Sequence, residues 1–359
     1  MEGVEVNKDF WYDKNVFLTG HTGFKGGWLS LWLQSMGAKV YGYSLNPLTQ
    51  NSFYEISKVK NGMENTVIAD IRDASKLSQT MALAKPDIVF HLAAQPLVRF
   101  SYKEPVETYT VNVMGTVNML EAVRSTSSVK AVVNITTDKC YENREWIWGY
   151  RENEAMGGSD PYSSSKACAE LITAAYRRSF MESAGISLAT ARSGNVIGGG
   201  DWADDRLIPD FLRAMNIGKT LKIRSPNSTR PWQHVLEPVY GYLLLAEQLY
   251  INGADFAEGW NFGPADEDAK PVKWIVQQLG EMCKGFKWTC DNAPQPYEAN
   301  YLKLDSSKAL KKLKWKPCWH LKTALQKTLE WHEVWQNNGD MHSFTMSQIE
   351  DYQSDNKCN

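Results

Sequence analysis

Short apolar runs alternate with longer stretches of helical periodicity through the first half of the chain. Val16-Phe17-Leu18, Lys39 to Ser44, Val67 to Ala69, Ile88 to Leu92 and Val132 to Thr136 read as strands. Each is apolar almost without interruption, as parallel strands are when helices cover both faces. Ser187 to Thr190 reads as a further strand. Trp28 to Met36 predicts a helix stopped by Gly37. Val106 to Arg124 carries Val106, Tyr109, Val113, Val117, Leu120 and Val123 at spacings of three and four, which predicts one buried helical face. Ser163 to Met181, Pro209 to Met215 and Val235 to Tyr250 are predicted helices. Strands alternating with crossover helices predict a parallel sheet.

The first strand runs into Thr19-Gly20-His21-Thr22-Gly23-Phe24-Lys25-Gly26, with glycines spaced Gly-x-x-Gly-x-x-Gly. Between a strand and a helix, such a loop lets the backbone turn sharply and brings its N–H groups against a pyrophosphate at the helix N-terminus. Gly20, Thr22, Gly23, Phe24, Lys25 and Gly26 are therefore candidates for cofactor binding. The end of the second strand, Tyr43 to Asn46, lacks the acid that holds the adenosine ribose in many NAD sites and lacks an arginine for a 2′-phosphate. Ser44 or Asn46 can serve as neutral ribose partners. Asp70-Ile71 is a candidate for the adenine edge, and an N-cap or turn aspartate is the plain alternative. Leu92, Ala93 and Ala94 let the backbone lie close to the cofactor, and Gln95 beyond them is a candidate substrate contact.

After about residue 192 the pattern loosens, with Gly198-Gly199-Gly200 as a loop and short mixed elements from Trp260 to Trp319. We expect an α/β fold, a Rossmann-type doubly wound parallel sheet with a smaller mixed α/β substrate-binding lobe. Residues 1–190 are expected to form the dinucleotide-binding domain, with 233–255 returning to it. Residues 191–232 and 256–335 are expected to form the smaller lobe. Residues 336–359 read as a polar tail in which Phe344, Met346 and Ile349 are candidates for docking.

Composition narrows the class. The 359 residues are 43% apolar, enough for a large core, and 39 basic against 41 acidic side chains give a net charge of −2. That balance argues against a nucleic-acid partner. No stretch reaches the roughly 18 apolar residues of a membrane span, and Met1 to Lys14 lacks the apolar centre of a signal peptide. The six cysteines are scattered with no C-x-x-C spacing. They read as reduced thiols of a cytoplasmic protein, with no metal site.

The chemistry concentrates in Thr137-Asp138-Lys139, followed 23 residues later by Tyr162-x-x-x-Lys166. Tyr162 and Lys166 share one face near the start of a helix. A lysine cation there favours the tyrosinate, binds nicotinamide ribose hydroxyls, and brings a phenol of reference pKa about 10 down towards operating pH. Together the five residues offer a hydroxyl, a carboxylic acid, a phenol and two amines. That is more proton chemistry than an alcohol oxidation needs.

The glycine loop, the Tyr162/Lys166 pair and the late run Leu304 to Leu310 resemble the extended short-chain dehydrogenase/reductases that act on sugar nucleotides. Thr137-Asp138-Lys139 looks like the Thr-Asp-Glu of their 4,6-dehydratase branch, with lysine in place of glutamate. That replacement and the run from His21 to Trp28 are similar to the members of the branch acting on CDP-hexoses. The resemblance covers about residues 11–335. It implies NAD as cofactor, held also by Tyr162 and Lys166, and a CDP-hexose as substrate. It implies oxidation at C4 with Tyr162 taking the hydroxyl proton and Thr137 bonded to that oxygen. Lys139 then removes the C5 proton, Asp138 protonates the departing 6-hydroxyl, and hydride returns to C6. For those roles the lysine must be uncharged and the aspartate un-ionised, so the two should not form a tight salt bridge.

The resemblance also implies substrate contacts from Asn195, in the loop Arg192 to Gly200, and from Arg230, whose guanidinium suits phosphate oxygens. The run Tyr297 to Tyr301 departs from the family pattern, and Glu298 there is a candidate acceptor for the exocyclic amine of cytosine. His234 reads as a packed histidine and Cys140 as a core filler. The family pairs its two long helices into a four-helix bundle, so a homodimer or homotetramer is expected. Two other readings compete: an epimerase or simple oxidoreductase on the same scaffold, and a non-catalytic NAD-responsive binding protein. The first has no use for Asp138 and Lys139, and the second expects erosion of the Tyr/Lys pair.

Overall fold

The computed structural model describes residues 5–47, 49, 51–283, 285–291, 293, 297 and 299–358. The strands are β1 (Asn15–Thr19), β2 (Lys39–Ser44), β3 (Asn65–Ile68), β4 (Ile88–His91), β5 (Ala131–Ile135), β6 (Ser187–Ser193), β7 (Asn195–Ile197), β8 (Leu221–Ile223), β9 (Thr229–His234), β10 (Gly259–Phe262), β11 (Ala269–Pro271) and β12 (Trp288–Cys290). Seven of them form one parallel sheet in the order β10-β6-β5-β4-β1-β2-β3. This is the doubly wound order, which reverses between β1 and β4 and opens a crevice at the carboxyl ends of the strands. The expected Rossmann-type fold is what the chain adopts.

The continuous apolar runs are explained by the two cores. Leu18, Val40, Phe90, Val133 and Ala191 face helices α1 (Phe24–Ser35) and α5 (Leu236–Asn252). Their strand neighbours Phe17, Val89, Val132 and Leu188 face α2 (Ala74–Ala84) and α3 (Gly115–Arg124) on the other side, flanked by α4 (Pro161–Tyr176). Alternate residues of a strand point to opposite faces, so a central strand covered twice must be apolar throughout.

Several expectations change. Helix α1 begins at Phe24, four residues before the predicted start, with Gly23 as its N-cap. The helix expected over 106–124 is Pro105–Tyr109, a π-turn at Thr110–Met114, and α3. The π-turn adds a residue and rotates the helix beyond it, so the predicted stripe does not stay on one face. Leu120 and Val123 are buried, whereas Val106 is 75% exposed and Tyr109 is also exposed. Strand β10, expected in the smaller lobe, extends the main sheet beside β6. The polar tail forms α7 (Met341–Cys358), after α6 (Leu321–Gln336). It docks Ile349 and Tyr352 into the core, with Phe344 and Met346 partly buried against it. Helix α2, which the apolar pattern did not announce, starts at Asp73, whose carboxylate accepts from Lys76 N at 3.0 Å.

Beyond the main sheet, β7, β9 and β11 form a small mixed sheet, and β8 pairs with β12. Among the described residues, no helix is long and apolar enough to cross a membrane.

Candidate active site

The glycine loop lies at the carboxyl end of β1. The chain turns at Gly20 with φ +77°, where a Cβ would stand 2.8 Å from Ala93 N. A Cβ on Gly26 would collide with the Gly20 carbonyl, so α1 can close onto the strand only with glycine there. Gly23 differs: a Cβ would meet only Gly20 O, at 3.3 Å, and the residue is exposed. The first and third glycines serve the turn and the packing, and the middle one leaves its backbone open. That division fits a dinucleotide's pyrophosphate lying on the loop. Thr19 Oγ1 accepts from Leu92 N (3.1 Å) and Ala93 N (3.2 Å) and lies 2.7 Å from His91 Nδ1. This ties the Leu92-Ala93-Ala94 segment against the loop. Thr22 Oγ1 lies 2.8 Å from Ser44 Oγ and donates to Leu45 O at 2.9 Å, so two neutral hydroxyls stand at the end of β2. Asp70 binds Arg72 through the backbone N (2.8 Å) and two guanidinium nitrogens. Its carboxylate reaches an adenine only by giving up that pair, a partner the sequence did not announce.

Across the crevice, β5 ends and Thr137 caps a short turn, Asp138–Cys140. Thr137 Oγ1 donates to Asp138 Oδ1 at 2.9 Å and also shares a hydrogen bond with the Tyr162 phenol. Asp138 is 1% exposed, and its Oδ2 has no partner. Lys139 Nζ is 3.8 Å from Asp138 Oδ1, beyond hydrogen-bond reach. The pair is therefore a loose ion contact, within Coulombic range but without a hydrogen bond. Asp138 and Lys139 line one pocket with Val98, Asn143, Gly158 and Leu302.

Helix α4 presents Tyr162 and Lys166 on one face. Asp160 caps it, accepting from Ser163 N at 2.9 Å, and Ser101 Oγ accepts from Tyr162 N at 3.1 Å. Lys166 Nζ donates to Ile135 O at 3.3 Å. The expected lowering of the phenol is not what this structure has. Burial pushes Tyr162 up to about 12, and the Thr137 hydrogen bond offsets only part of that. Burial also brings Lys166 down to about 8, against the pull of Glu170. Desolvation dominates the phenol, and the Arg206 charge and the Thr137 hydrogen bond oppose it only in part.

A buried network holds this corner. Glu170, one turn beyond Lys166, accepts from Thr136 Oγ1, from Thr190 Oγ1 at 2.7 Å and from Arg192 Nε and Nη2 at 2.9 and 2.7 Å. Burial raises Glu170, but Arg192 and these bonds more than offset it and keep its carboxyl below the usual range. Arg192 Nη1 also donates to Tyr141 OH at 2.7 Å, and Tyr141 donates to Asn261 Oδ1 at 2.7 Å. Glu170 escaped sequence reading because its partners come from β6 and the segment after β5. Its position four residues after Lys166 was the available signal. Arg206 was missed as well. It pairs with Asp201 at 2.9 Å, and its charge acts on Tyr162 and Lys25.

On the substrate side, Asn195 Oδ1 is buried without a partner. Arg230 is 3% exposed, donates from Nη1 to Thr229 O at 3.0 Å, and its charge reaches Glu145 and Tyr297. Gln95 does not match its expected role. Its Nε2 donates to Leu97 O (3.1 Å) and Thr108 Oγ1 (2.9 Å), and its Oε1 accepts from Leu97 N, so the amide fixes the loop after β4. Glu298 lies outside the described residues. His234 is packed between Trp28 and Trp319, and burial brings it to about 3. Cys140 is buried with its thiol pushed up, and so is inert.

The profile of the GDP-mannose 4,6 dehydratase family matches residues 17–328. The CDP-glucose 4,6-dehydratase of Salmonella typhimurium is 55% identical over 355 residues, covering 97% of this chain and 99% of its own. Among solved structures, the UDP-glucose 4-epimerase of Thermotoga maritima with UDP-glucose superposes with a TM-score of 0.77 at 22% identity, over 89% of this chain and 99% of that one. MoeE5 in complex with UDP-glucuronic acid and NAD gives 0.76 at 23% identity, over 89% and 98%. At those identities the two structures speak for the fold alone. The family match spans the glycine loop, the Thr137–Lys139 turn and the Tyr162/Lys166 pair in one crevice, and with it the chain belongs to the GDP-mannose 4,6-dehydratase family.

Proposed function

We propose that this protein converts CDP-D-glucose to CDP-4-keto-6-deoxy-D-glucose by NAD-dependent 4,6-dehydration. The reading rests above all on the Asp138/Lys139 pair. A buried carboxyl with one unpartnered oxygen shares a pocket with an amine 3.8 Å from its other oxygen, outside hydrogen-bond reach. The likeness to the Salmonella enzyme supports CDP-glucose as the substrate.

Bound on the glycine loop, NAD supplies the hydride acceptor for C4 and the hydride returned to C6. The chain's own groups handle the protons. Tyr162, as the phenolate, takes the 4-hydroxyl proton, and Thr137, bonded to both Tyr162 and Asp138, holds that oxygen in line. The ketone acidifies the C5 proton, and Lys139 removes it. Asp138 Oδ2, left without a partner while Oδ1 accepts from Thr137, is the oxygen that protonates the departing 6-hydroxyl. Water leaves, with no net oxidation.

Gly20, Thr22, Gly23, Phe24, Gly26, Ser44, Ile71 and the Leu92–Ala94 backbone hold the cofactor, with Lys166 on its ribose. Asn195 and Arg230, from the smaller lobe, hold the substrate's diphosphate. An epimerase would use Tyr162 and Lys166 and leave Asp138 and Lys139 idle. The enzyme works in the cytoplasm as a homodimer or homotetramer. The exposed Val106, Met114, Leu171 and Phe180 on its two long helical segments suit a helix bundle between copies.

Incubating the purified protein with NAD and, separately, CDP-, UDP-, dTDP- and GDP-hexoses tests the reading. The 4-keto-6-deoxy product should form fastest from CDP-glucose. Epimerised sugar, or no product from any of the four, would contradict it.

A further inference from the structure

Lys25 sits in the first turn of α1, two residues past Gly23. Its Nζ donates to Ser193 Oγ at 3.0 Å and Tyr242 OH at 3.3 Å, and Tyr242 OH donates to the same Ser193 Oγ at 3.0 Å. Among the described residues it makes no ion pair. It lies between α1, β6 and α5 at the carboxyl end of the sheet and is only partly buried. The charged groups acting on it are Arg206 and Lys166, which repel it, and Asp138 and Asp201, which attract it.

The charges do not balance. Glu170 is already committed to Arg192, and Asp201 to Arg206. If Asp138 is un-ionised and Lys139 uncharged, as the proposed reaction requires, Lys25, Lys166 and Arg206 face Asp201 alone. With Lys25 protonated, that leaves an excess of two positive charges, and the diphosphate of a dinucleotide carries two negative ones.

We propose that Lys25 and Arg206 form a two-cation seat for the diphosphate of a bound nucleotide, adding side-chain charge to what the glycine-loop backbone offers. The inference rests on the function proposed above. Its place beside Gly23 favours the cofactor's diphosphate over the substrate's. Burial brings the Lys25 amine down to about 7, so it is largely uncharged above neutrality until an anion arrives. Binding of the diphosphate then takes up a proton. Affinity should fall as pH rises above 7, because the proton must come from a scarcer supply.

Calorimetric titration tests this with NAD in one arm and CDP in the other, on the wild-type protein and on Lys25→Met, which keeps the methylene stem. At pH 7.0 the variant should bind NAD at least about tenfold more weakly, the scale of one charge-assisted hydrogen bond, with CDP affinity unchanged. A loss confined to CDP would assign the seat to the substrate's diphosphate and still support it. Unchanged affinity for both would overturn it. The wild type needs no substitution for a second check. At pH 8.0, comparison of Tris and HEPES buffers should show roughly one proton taken up per NAD bound, and no uptake would also overturn the proposal. If the wild type binds no NAD at all, the functional reading fails first. If NAD binds normally and Lys25→Met is silent, only the seat fails.

Discussion

At the glycine loop the backbone builds the site. Gly20 N donates to Tyr43 O at 2.9 Å, Gly23 N to Gly20 O at 3.1 Å, and α1 closes on β1 where only glycine fits. At the Thr137–Lys166 corner side chains build it, and some are left unmet: Asp138 Oδ2 nearby and Asn195 Oδ1 further along the crevice are buried without partners. A backbone-built region takes its shape before any ligand arrives. A region built from side chains holds unsatisfied polar atoms, which cost stability unless a ligand meets them. The contrast separates holding a nucleotide from transforming a sugar.

Three substitutions probe that contrast, in order of falling effect. Tyr162→Phe removes the proton acceptor and leaves the loop intact. Its kcat should fall about 10²- to 10⁴-fold while NAD affinity by fluorescence titration stays near wild type. If the loss appeared in NAD affinity instead, the two regions would not be separable. Glu170→Gln leaves Arg192 charged, buried and short of its partner beneath the corner. Urea unfolding should register a loss of about 3–5 kcal/mol, and a change below about 1 kcal/mol would remove the network from its supporting role.

The third lies at the docked helix α7, far from the chemistry. Glu237 accepts from Trp319 N at 2.6 Å and Tyr352 OH at 2.7 Å, and burial holds its carboxyl at about 7 against an ordinary 4.5. The folded chain therefore keeps a proton that the unfolded chain releases. Its contribution is complete below about pH 4.5 and is lost as pH rises through about 7, by at most about 1.4 kcal/mol per pH unit. Between pH 5 and 7.5 the wild type should lose more stability in urea titrations than Glu237→Gln. Equal losses would show that Glu237 does not carry the linkage.

The local parts of this molecule were legible in its sequence. The Gly20/Gly23/Gly26 spacing, the Tyr162/Lys166 face and the apolar strands depend on neighbours within a few residues. The parts that needed coordinates join distant segments. Glu170 gathers Thr136, Thr190 and Arg192. Lys25 meets Ser193 and Tyr242, and Arg206 reaches Tyr162 electrostatically. Gln95 was misread because a side-chain amide that closes its own loop looks, in sequence, like one offered to a ligand. The tail was read as a polar segment because α7 docks only a few apolar residues, and no periodic stripe marks it. The tuning of Tyr162 was misjudged because sequence shows the lysine but not the depth of burial.

Dehydration at this site turns on Lys139 as the base at C5. A single turnover of CDP-glucose by Lys139→Ala in heavy water isolates that role. Reduced nicotinamide should still accumulate, read by its absorbance, while C5 gains no deuterium by NMR. Deuterium entering C5 at the wild-type rate would contradict the assignment.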